Sequence, residues 1–337
     1  MPTMRAMQIS AKGGNYELVE RPLPEPGPGR IRVKVEACGI CYSDRYVKDG
    51  LNPNVTYPRV PGHEVVGIVD KLGDGVRIWQ TGQRVGVGWQ GGYCFFCDPC
   101  KRGDFINCRH AGTTGITHDG GYAEYMITPQ EAAAPVPEGM SAVEAAPLLC
   151  AGITVFNALR NSGATGGDTV AIQGIGGLGH LAIQFADKMG FRTIAISSSN
   201  DKADLAQKLG ADLFIPSSDV DPVDELVRLG GADVIVSTAP VGKGVGALLG
   251  GLAPNGRLIG LAGTGGQTEV MLPALIRGRK SIKGWASGSA IDWQDTMNFC
   301  KLTGCRAMIE EFPLEKVQDG YDKMMRNEVR FRGVAVV

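Results

Sequence analysis

Apolar and charged positions alternate along Ile31-Arg32-Val33-Lys34-Val35, the period-two pattern of a strand with one buried face. The same alternation recurs at 65–69, 84–87 and 122–127, and turn-forming runs such as Pro22-Leu23-Pro24-Glu25-Pro26-Gly27 separate the segments. An irregular, mainly antiparallel β domain is predicted for the first 150 residues. From about Ser141 the period changes, first to a helical segment and then to short β-rich runs alternating with helical ones. The β-rich runs fall at 169–173, 193–197, 212–215, 233–237, 257–261 and 281–285. Strands linked in this way by helices predict an α/β fold with a doubly wound, six-stranded parallel sheet. Beyond it, 292–302 and 314–325 read as helices and 330–337 as a strand. This tail lacks the strand-helix rhythm, so it is expected to return to the first domain. The division expected is 1–150 with 287–337, and 151–286.

Composition adds bounds. At 337 residues the chain exceeds the size at which a single core keeps growing, which agrees with two domains. Hydrophobic residues at 43% and charged ones at 20% describe a folded globular protein. The 34 basic and 35 acidic residues are interleaved, so the chain carries no electrostatic footprint for nucleic acid or an anionic membrane. The first residues lack the apolar core of a signal peptide, and no run reaches the ~18 apolar residues of a spanning helix. The cytoplasm is the compartment expected. In a reducing compartment the nine cysteines are read as metal ligands where they cluster, not as disulfides.

They cluster at Cys94, Cys97, Cys100 and Cys108, a C-x2-C-x2-C-x7-C array. Four thiolates at this spacing can close a loop around one tetrahedral zinc and leave no position for water, so 91–110 is expected to form a structural lobe. Ferredoxin-type iron–sulfur motifs open in the same way but continue with x3-Cys-Pro, whereas here seven residues intervene and Arg109 follows Cys108. A Cys, a His and a second Cys are also available from three separate places, Cys38-Gly39-Ile40-Cys41-Tyr42-Ser43-Asp44, Pro61-Gly62-His63-Glu64 and Pro147-Leu148-Leu149-Cys150-Ala151-Gly152. Two thiolates and a neutral imidazole make a catalytic zinc set with one open position. A third signal is Gly174-Ile175-Gly176-Gly177-Leu178-Gly179, a G-x-G-x-x-G between a strand and an apolar-periodic helix at 180–189. Gly174 allows the tight turn, Gly176 lets the backbone approach a pyrophosphate, and Gly179 lets the helix press on the sheet. The diphosphate would sit at that helix's N-terminus.

The segment Gly62-His63-Glu64-x2-Gly67-x5-Gly73-x2-Val76 resembles the signature of zinc-dependent medium-chain alcohol dehydrogenases. The cysteine lobe, the Pro-Leu-Leu-Cys-Ala-Gly segment and the nucleotide fold follow in that family's order, so the resemblance covers essentially the whole chain. It implies a catalytic domain, a coenzyme domain, two zinc ions per subunit and hydride transfer between a primary or secondary alcohol or aldehyde and a nicotinamide coenzyme. It also implies a homo-oligomer, a dimer or tetramer, joined through the last strand of the coenzyme domain near 282–285. Cys41, His63 and Cys150 are then the catalytic zinc ligands. Ser43 takes the alcohol proton, Asp44 orients His63, and Glu64 helps exchange the fourth ligand. Gly174, Gly176, Gly177, Leu178 and Gly179 would hold the coenzyme. Trp89 stands where relatives place an aromatic wall of the substrate pocket, or else fills the core. Arg332 stands where relatives reach the coenzyme diphosphate, or else is a solvated charge.

Some positions depart from the pattern. Many relatives read Cys-His-Ser/Thr-Asp-x-His, the last histidine handing the proton to solvent, whereas this chain has Tyr42 and Tyr46. A phenol of pKa ~10 is a weaker relay than imidazole, and Tyr46 stands in the place of that histidine. Polyol-oxidising relatives often use a carboxylate where this chain has Cys150, which favours simple alcohols and aldehydes. Relatives that bind nucleotides without catalysis, or reduce quinones and enoyl groups without zinc, should lack the ligands present here. The strand at 193–197 ends in Ser197-Ser198-Ser199-Asn200-Asp201-Lys202, with Ser197 where an NAD-selective fold has an acid for the ribose hydroxyls. Ser197, Ser198, Ser199 and Lys202 could instead hold a 2′-phosphate, as in the similar loop of cinnamyl alcohol dehydrogenases, so NADP(H) is expected over NAD(H). The same residues would also make a polar turn with Ser199 or Asn200 as N-cap.

Overall fold

The computed structural model describes residues 2–238, 244–262 and 267–337, and the chain forms two compact units, Met1–Ile153 with Gly288–Val337, and Thr154–Ser287. The tail thus belongs to the unit that holds the N-terminal residues.

In the first unit the strand Arg30–Ile40 is the centre of a seven-stranded, mainly antiparallel sheet. Val65–Leu72 pairs along one side, and Tyr125–Pro129 and Arg332–Val336 share the other, the first along residues 30–34 and the second along 37–40. Arg84–Val87 and Ala134–Pro135 extend one flank and Ile309–Pro313 the other. The alternation read at 31–35 departs from a simple inside-outside pattern at Arg32, which is buried. Its guanidinium donates to Asp70 at 2.6 Å and to the Pro24 carbonyl at 3.0 Å, which offsets the cost of burying the charge. The strand predicted at 122–127 begins at Tyr125, because residues 122–124 bond elsewhere: Met7 donates to the Tyr122 carbonyl, Tyr122 to Pro61, and Glu124 to Arg5. The helix predicted at 292–302 is Ala290–Thr303, capped by Ser289 and Asp292, and that at 314–325 opens with a 3-10 turn before Val317–Met325.

In the second unit the six strands are all parallel, in the spatial order Leu213–Pro216, Arg192–Ser197, Thr169–Gln173, Ala232–Ser237, Leu252–Gly260, Ser281–Gly284. In order along the chain this is 3-2-1-4-5-6, with the reversal of winding beside Thr169–Gln173, the strand that leads into the glycine turn. Central strands such as Ala232–Ser237 are buried on both faces and read as apolar runs. The strand predicted from 257 begins at Leu252; Pro254 and Asn255 break its pattern where the pairing register shifts. Among the described residues no single helix is long and apolar enough to cross a membrane.

Candidate active site and metal centres

Antiparallel pairing brings the catalytic candidates together. The end of Arg30–Ile40 lies beside the beginnings of two neighbours, with Cys38 opposite Val65 and Ile40 opposite Gly333. Cys41, just past the first strand, therefore meets His63 and Glu64, just before the second, and Arg332, which opens the third. Cys150 arrives from the buried turn Ala146–Leu149. Gly39 leaves the space that Glu64 occupies, since a Cβ there would lie 1.8 Å from Oε2 of Glu64.

The donors suit a metal. One ligand atom each from Cys41, His63, Glu64 and Cys150 lies within 4.8 Å of the others. The Cys41 and Cys150 sulfurs are 3.8 Å apart, too far for a disulfide. Zn–S bonds of ~2.3 Å at a tetrahedral angle would set thiolates about 3.8 Å apart. His63 Nδ1 is 3.2 Å from Asp44 Oδ1, while Nε2 is buried and makes no hydrogen bond of ordinary geometry among the described residues, an imidazole turned towards the two sulfurs. The edge of its ring meets Trp89, with centroids 4.9 Å apart, and Trp89 in turn meets Tyr46 at 5.9 Å. Trp89 is half-buried, packing on one side against the core of this unit and meeting His63 edge-on. Ser43 is half-buried, and its backbone N–H donates to the Cys41 sulfur at 3.5 Å. Tyr46 is exposed.

Charge in this cluster is mostly negative. The hydrogen bond from Cys150 holds the Cys41 thiol well below its usual range, with His63 and Arg332 assisting, and the Cys150 thiol is pushed up in return. Burial works against the His63 imidazolium, yet Cys41 and Asp44 together raise its pKa. Burial also lifts the Glu64 carboxyl to about 7, against the pull of Arg332. Arg332 is 5% exposed and donates to Glu64 Oε1, so it is not a solvated charge. With both cysteines ionised and His63 neutral, as a metal requires, the carboxylates and thiolates would outnumber the one arginine, and a divalent ion would offset two of those charges.

The four cysteines of the lobe also converge, with their sulfurs within 4.8 Å of one another and those of Cys94 and Cys100 3.9 Å apart. Backbone N–H groups of Cys94, Cys97 and His110 donate to sulfurs at 3.4 Å, as thiolates around a metal require. N–H groups of Arg109 and Cys100 hold Cys97 below the ordinary thiol range, while burial pushes Cys100 up. None of the nine cysteines is in a disulfide. Cys38 is fully buried, and burial raises its thiol.

In the second unit Gly174 has φ +90°, and a Cβ on Gly179 would lie 1.8 Å from the Gly174 carbonyl oxygen; both positions demand glycine. A Cβ on Gly176 would meet nothing within 4 Å, the open approach that a diphosphate needs. Gly177 and Leu178 complete the turn into the helix Gly179–Lys188, where His180 Nδ1 donates to the Gly176 carbonyl at 2.9 Å. Thr238 was not singled out by sequence; its hydroxyl donates to the Gln173 carbonyl at 2.8 Å and braces the turn from the next strand. Ser197 is buried at the end of its strand, Ser198 is exposed, and Lys202 Nζ donates to the Ile175 carbonyl at 3.1 Å. Ser199 occupies an N-cap position, but its hydroxyl bonds to Asp201 and makes no cap.

Residues 27–138 match the alcohol dehydrogenase GroES-like domain and 177–301 the zinc-binding dehydrogenase domain. The chain is 44% identical to the alcohol dehydrogenase patD of Penicillium expansum over 98% of this chain and 97% of that one. It is 35% identical to an alcohol dehydrogenase of Geobacillus stearothermophilus, with 98% of each covered. A solved cinnamyl alcohol dehydrogenase of Sorghum bicolor superposes with a TM-score of 0.90 at 32% identity, over 99% of this chain and 98% of that one. The chain therefore belongs to the zinc-dependent medium-chain alcohol dehydrogenase family, oxidoreductases that exchange hydride between a small alcohol or aldehyde and a nicotinamide coenzyme.

Proposed function

We propose that this alcohol dehydrogenase carries two zinc ions per subunit, a catalytic one on Cys41, His63 and Cys150 and a structural one on Cys94, Cys97, Cys100 and Cys108. The observation that carries the catalytic assignment is the buried Nε2 of His63, turned towards two sulfurs at zinc-like spacing. When bound, the catalytic zinc supplies a Lewis acid that polarises a carbonyl and eases loss of an alcohol's proton. The Ser43 hydroxyl would take that proton while releasing its own, and exposed Tyr46 is the group we assign to the outer half of the relay to solvent. Asp44 holds the imidazole in the tautomer that leaves Nε2 bare. Glu64 waits behind the ligands, available for exchange of the fourth one, and Trp89 supplies an apolar wall for the substrate. We keep Arg332, fixed by Glu64, as the cation offered to the coenzyme diphosphate.

The coenzyme we assign is NADP(H), bound by the glycine turn with Ser197, Ser198, Ser199 and Lys202 around the 2′-phosphate. Support comes from the neutral Ser197 at the strand end and from Lys202, tethered to the turn at Ile175. A steady-state panel of alcohols and aldehydes with both coenzymes tests this. The ratio of kcat/KM should favour NADPH by roughly tenfold or more, the worth of one or two charge-assisted hydrogen bonds. Ser197→Asp should move the preference to NADH, because a carboxylate repels the phosphate and accepts the ribose hydroxyls. A wild-type ratio favouring NADH overturns the assignment.

We also assign a homo-oligomer joined at Ser281–Gly284, the outermost strand of the parallel sheet, exposed at every position. Met271, Leu272, Ile276 and Ile282 are exposed apolar side chains in the same region, which would be covered in an assembly. Light scattering should give a multiple of 35.6 kDa, and a monomer mass contradicts the assignment. Nine cysteines outside any disulfide suit a reducing compartment, and the cytoplasm is our placement.

A further inference from the structure

Tyr122 was read from sequence only as the first residue of a strand. Its side chain is fully buried, and its hydroxyl donates to Asp44 Oδ2 at 2.5 Å. The Gly39 carbonyl, at 3.2 Å, is the more distant acceptor for the same proton. Asp44 has its other oxygen on His63 Nδ1 at 3.2 Å, and its Oδ2 also accepts the Cys41 backbone N–H at 3.1 Å. The backbone of the tyrosine segment is tied to a different place. Tyr122 N–H donates to the Pro61 carbonyl at 3.1 Å, and Gly121 N–H to the Gly62 carbonyl at 2.9 Å, immediately before His63. One residue therefore spans both ligand-bearing segments, phenol to the Cys41–Asp44 turn and backbone to the Pro61–His63 turn.

We propose that Tyr122 is a positioning residue for the catalytic metal: its phenol fixes Asp44, and through it the His63 ring, so that Cys41 and His63 keep the separation a single ion needs. The inference rests on the assignment of Cys41, His63 and Cys150 as metal ligands. The phenol is itself held rigidly. Its ring packs edge-on against Tyr16 at 5.8 Å, and Tyr16 packs in turn on Tyr321 at 5.7 Å. Burial and the Asp44 charge push the Tyr122 phenol well above its ordinary value, so it remains a donor throughout the working pH range. Without the phenol, Oδ2 keeps only the longer bond from the Cys41 N–H at 3.1 Å, so the carboxylate is held less tightly and can tilt the imidazole with it.

The test is zinc release from the full-length protein to a chelator with a colorimetric readout, comparing wild type, Tyr122→Phe, Asp44→Asn and the double variant. Tyr122→Phe keeps the ring and its packing and removes only the hydroxyl. It should release one zinc about tenfold faster, the low end of what partners behind metal ligands contribute, while the second zinc leaves at the wild-type rate. In the cobalt-substituted protein the catalytic-site absorption bands should shift in Tyr122→Phe. The double variant should release zinc no faster than Asp44→Asn alone, since the phenol acts through that carboxylate. Unchanged release and cobalt bands in Tyr122→Phe, or additive effects in the double variant, overturn the proposal. A wild-type protein that yields only one zinc instead refutes the metal assignment beneath it. Loss of both zincs at equal rates in Tyr122→Phe would mark a general loosening of the fold and also overturn it.

Discussion

Cys41→Ala should bind one zinc where the wild type binds two, and lose turnover by about four orders of magnitude, the scale expected when the Lewis acid is removed. The residue lies past the end of the central strand, and its backbone bonds do not depend on its sulfur: its N–H donates to Asp44 and its carbonyl accepts from the Asp44 N–H. The sheet should survive the change. Far-ultraviolet circular dichroism and the affinity for coenzyme should stay near wild type while kcat collapses. Retention of more than about 1% of kcat/KM, some 2.7 kcal/mol of the barrier, would show that hydride transfer does not depend on this ligand.

Cys97→Ala should do the reverse. The lobe has few resources other than its sulfurs: a one-turn helix Asp98–Lys101, a 3-10 turn Phe105–Asn107, and a small cluster in which Cys97, Cys100 and Cys108 are the buried members. Phe95 and Phe96 are exposed and contribute little burial. Such a segment cannot bury enough apolar surface to fold by itself, so the metal serves as its core. Removing one thiolate should cost at least about 3 kcal/mol, a fraction of the ~10–16 kcal/mol that structural zinc contributes in small zinc-folded peptides. The expected readouts are a lower denaturation midpoint and new protease cleavage between Cys94 and Cys108, with kcat of the folded fraction within a few-fold of wild type. An unchanged midpoint would show that the lobe stands without its zinc.

Much of the fold was legible because its signals are local. The strand at 169–173, the glycine turn and the helix after it depend on residues adjacent in sequence, and they stand where the periodicity puts them. The array from Cys94 to Cys108 is legible for the same reason, as a short loop can close only around a common centre. Strand ends were less legible where pairing partners are distant. Residues 122–124 alternate like a strand, yet their backbone groups go to Pro61, Met7 and Arg5, which no local pattern reveals. Arg332 is the clearest case. On a terminal strand it read equally as a solvated charge, and its burial against Glu64 follows from a pairing across some 270 residues. The same holds for Gly39, two residues before Cys41, whose missing side chain is seen only in the structure to be the space Glu64 fills. The gathering of Cys41, His63 and Cys150 was inferred through family resemblance and not from spacing, because residues far apart in sequence carry no mutual periodicity.

Zinc content per chain, by elemental analysis of the purified wild type and of Cys41→Ala and Cys97→Ala, addresses the central claim most directly. The two sites predict two zinc equivalents in the wild type and one in each variant, with activity following only the ion lost from Cys41→Ala. Iron in place of zinc, or a single zinc that survives Cys41→Ala and disappears in Cys97→Ala, would contradict it.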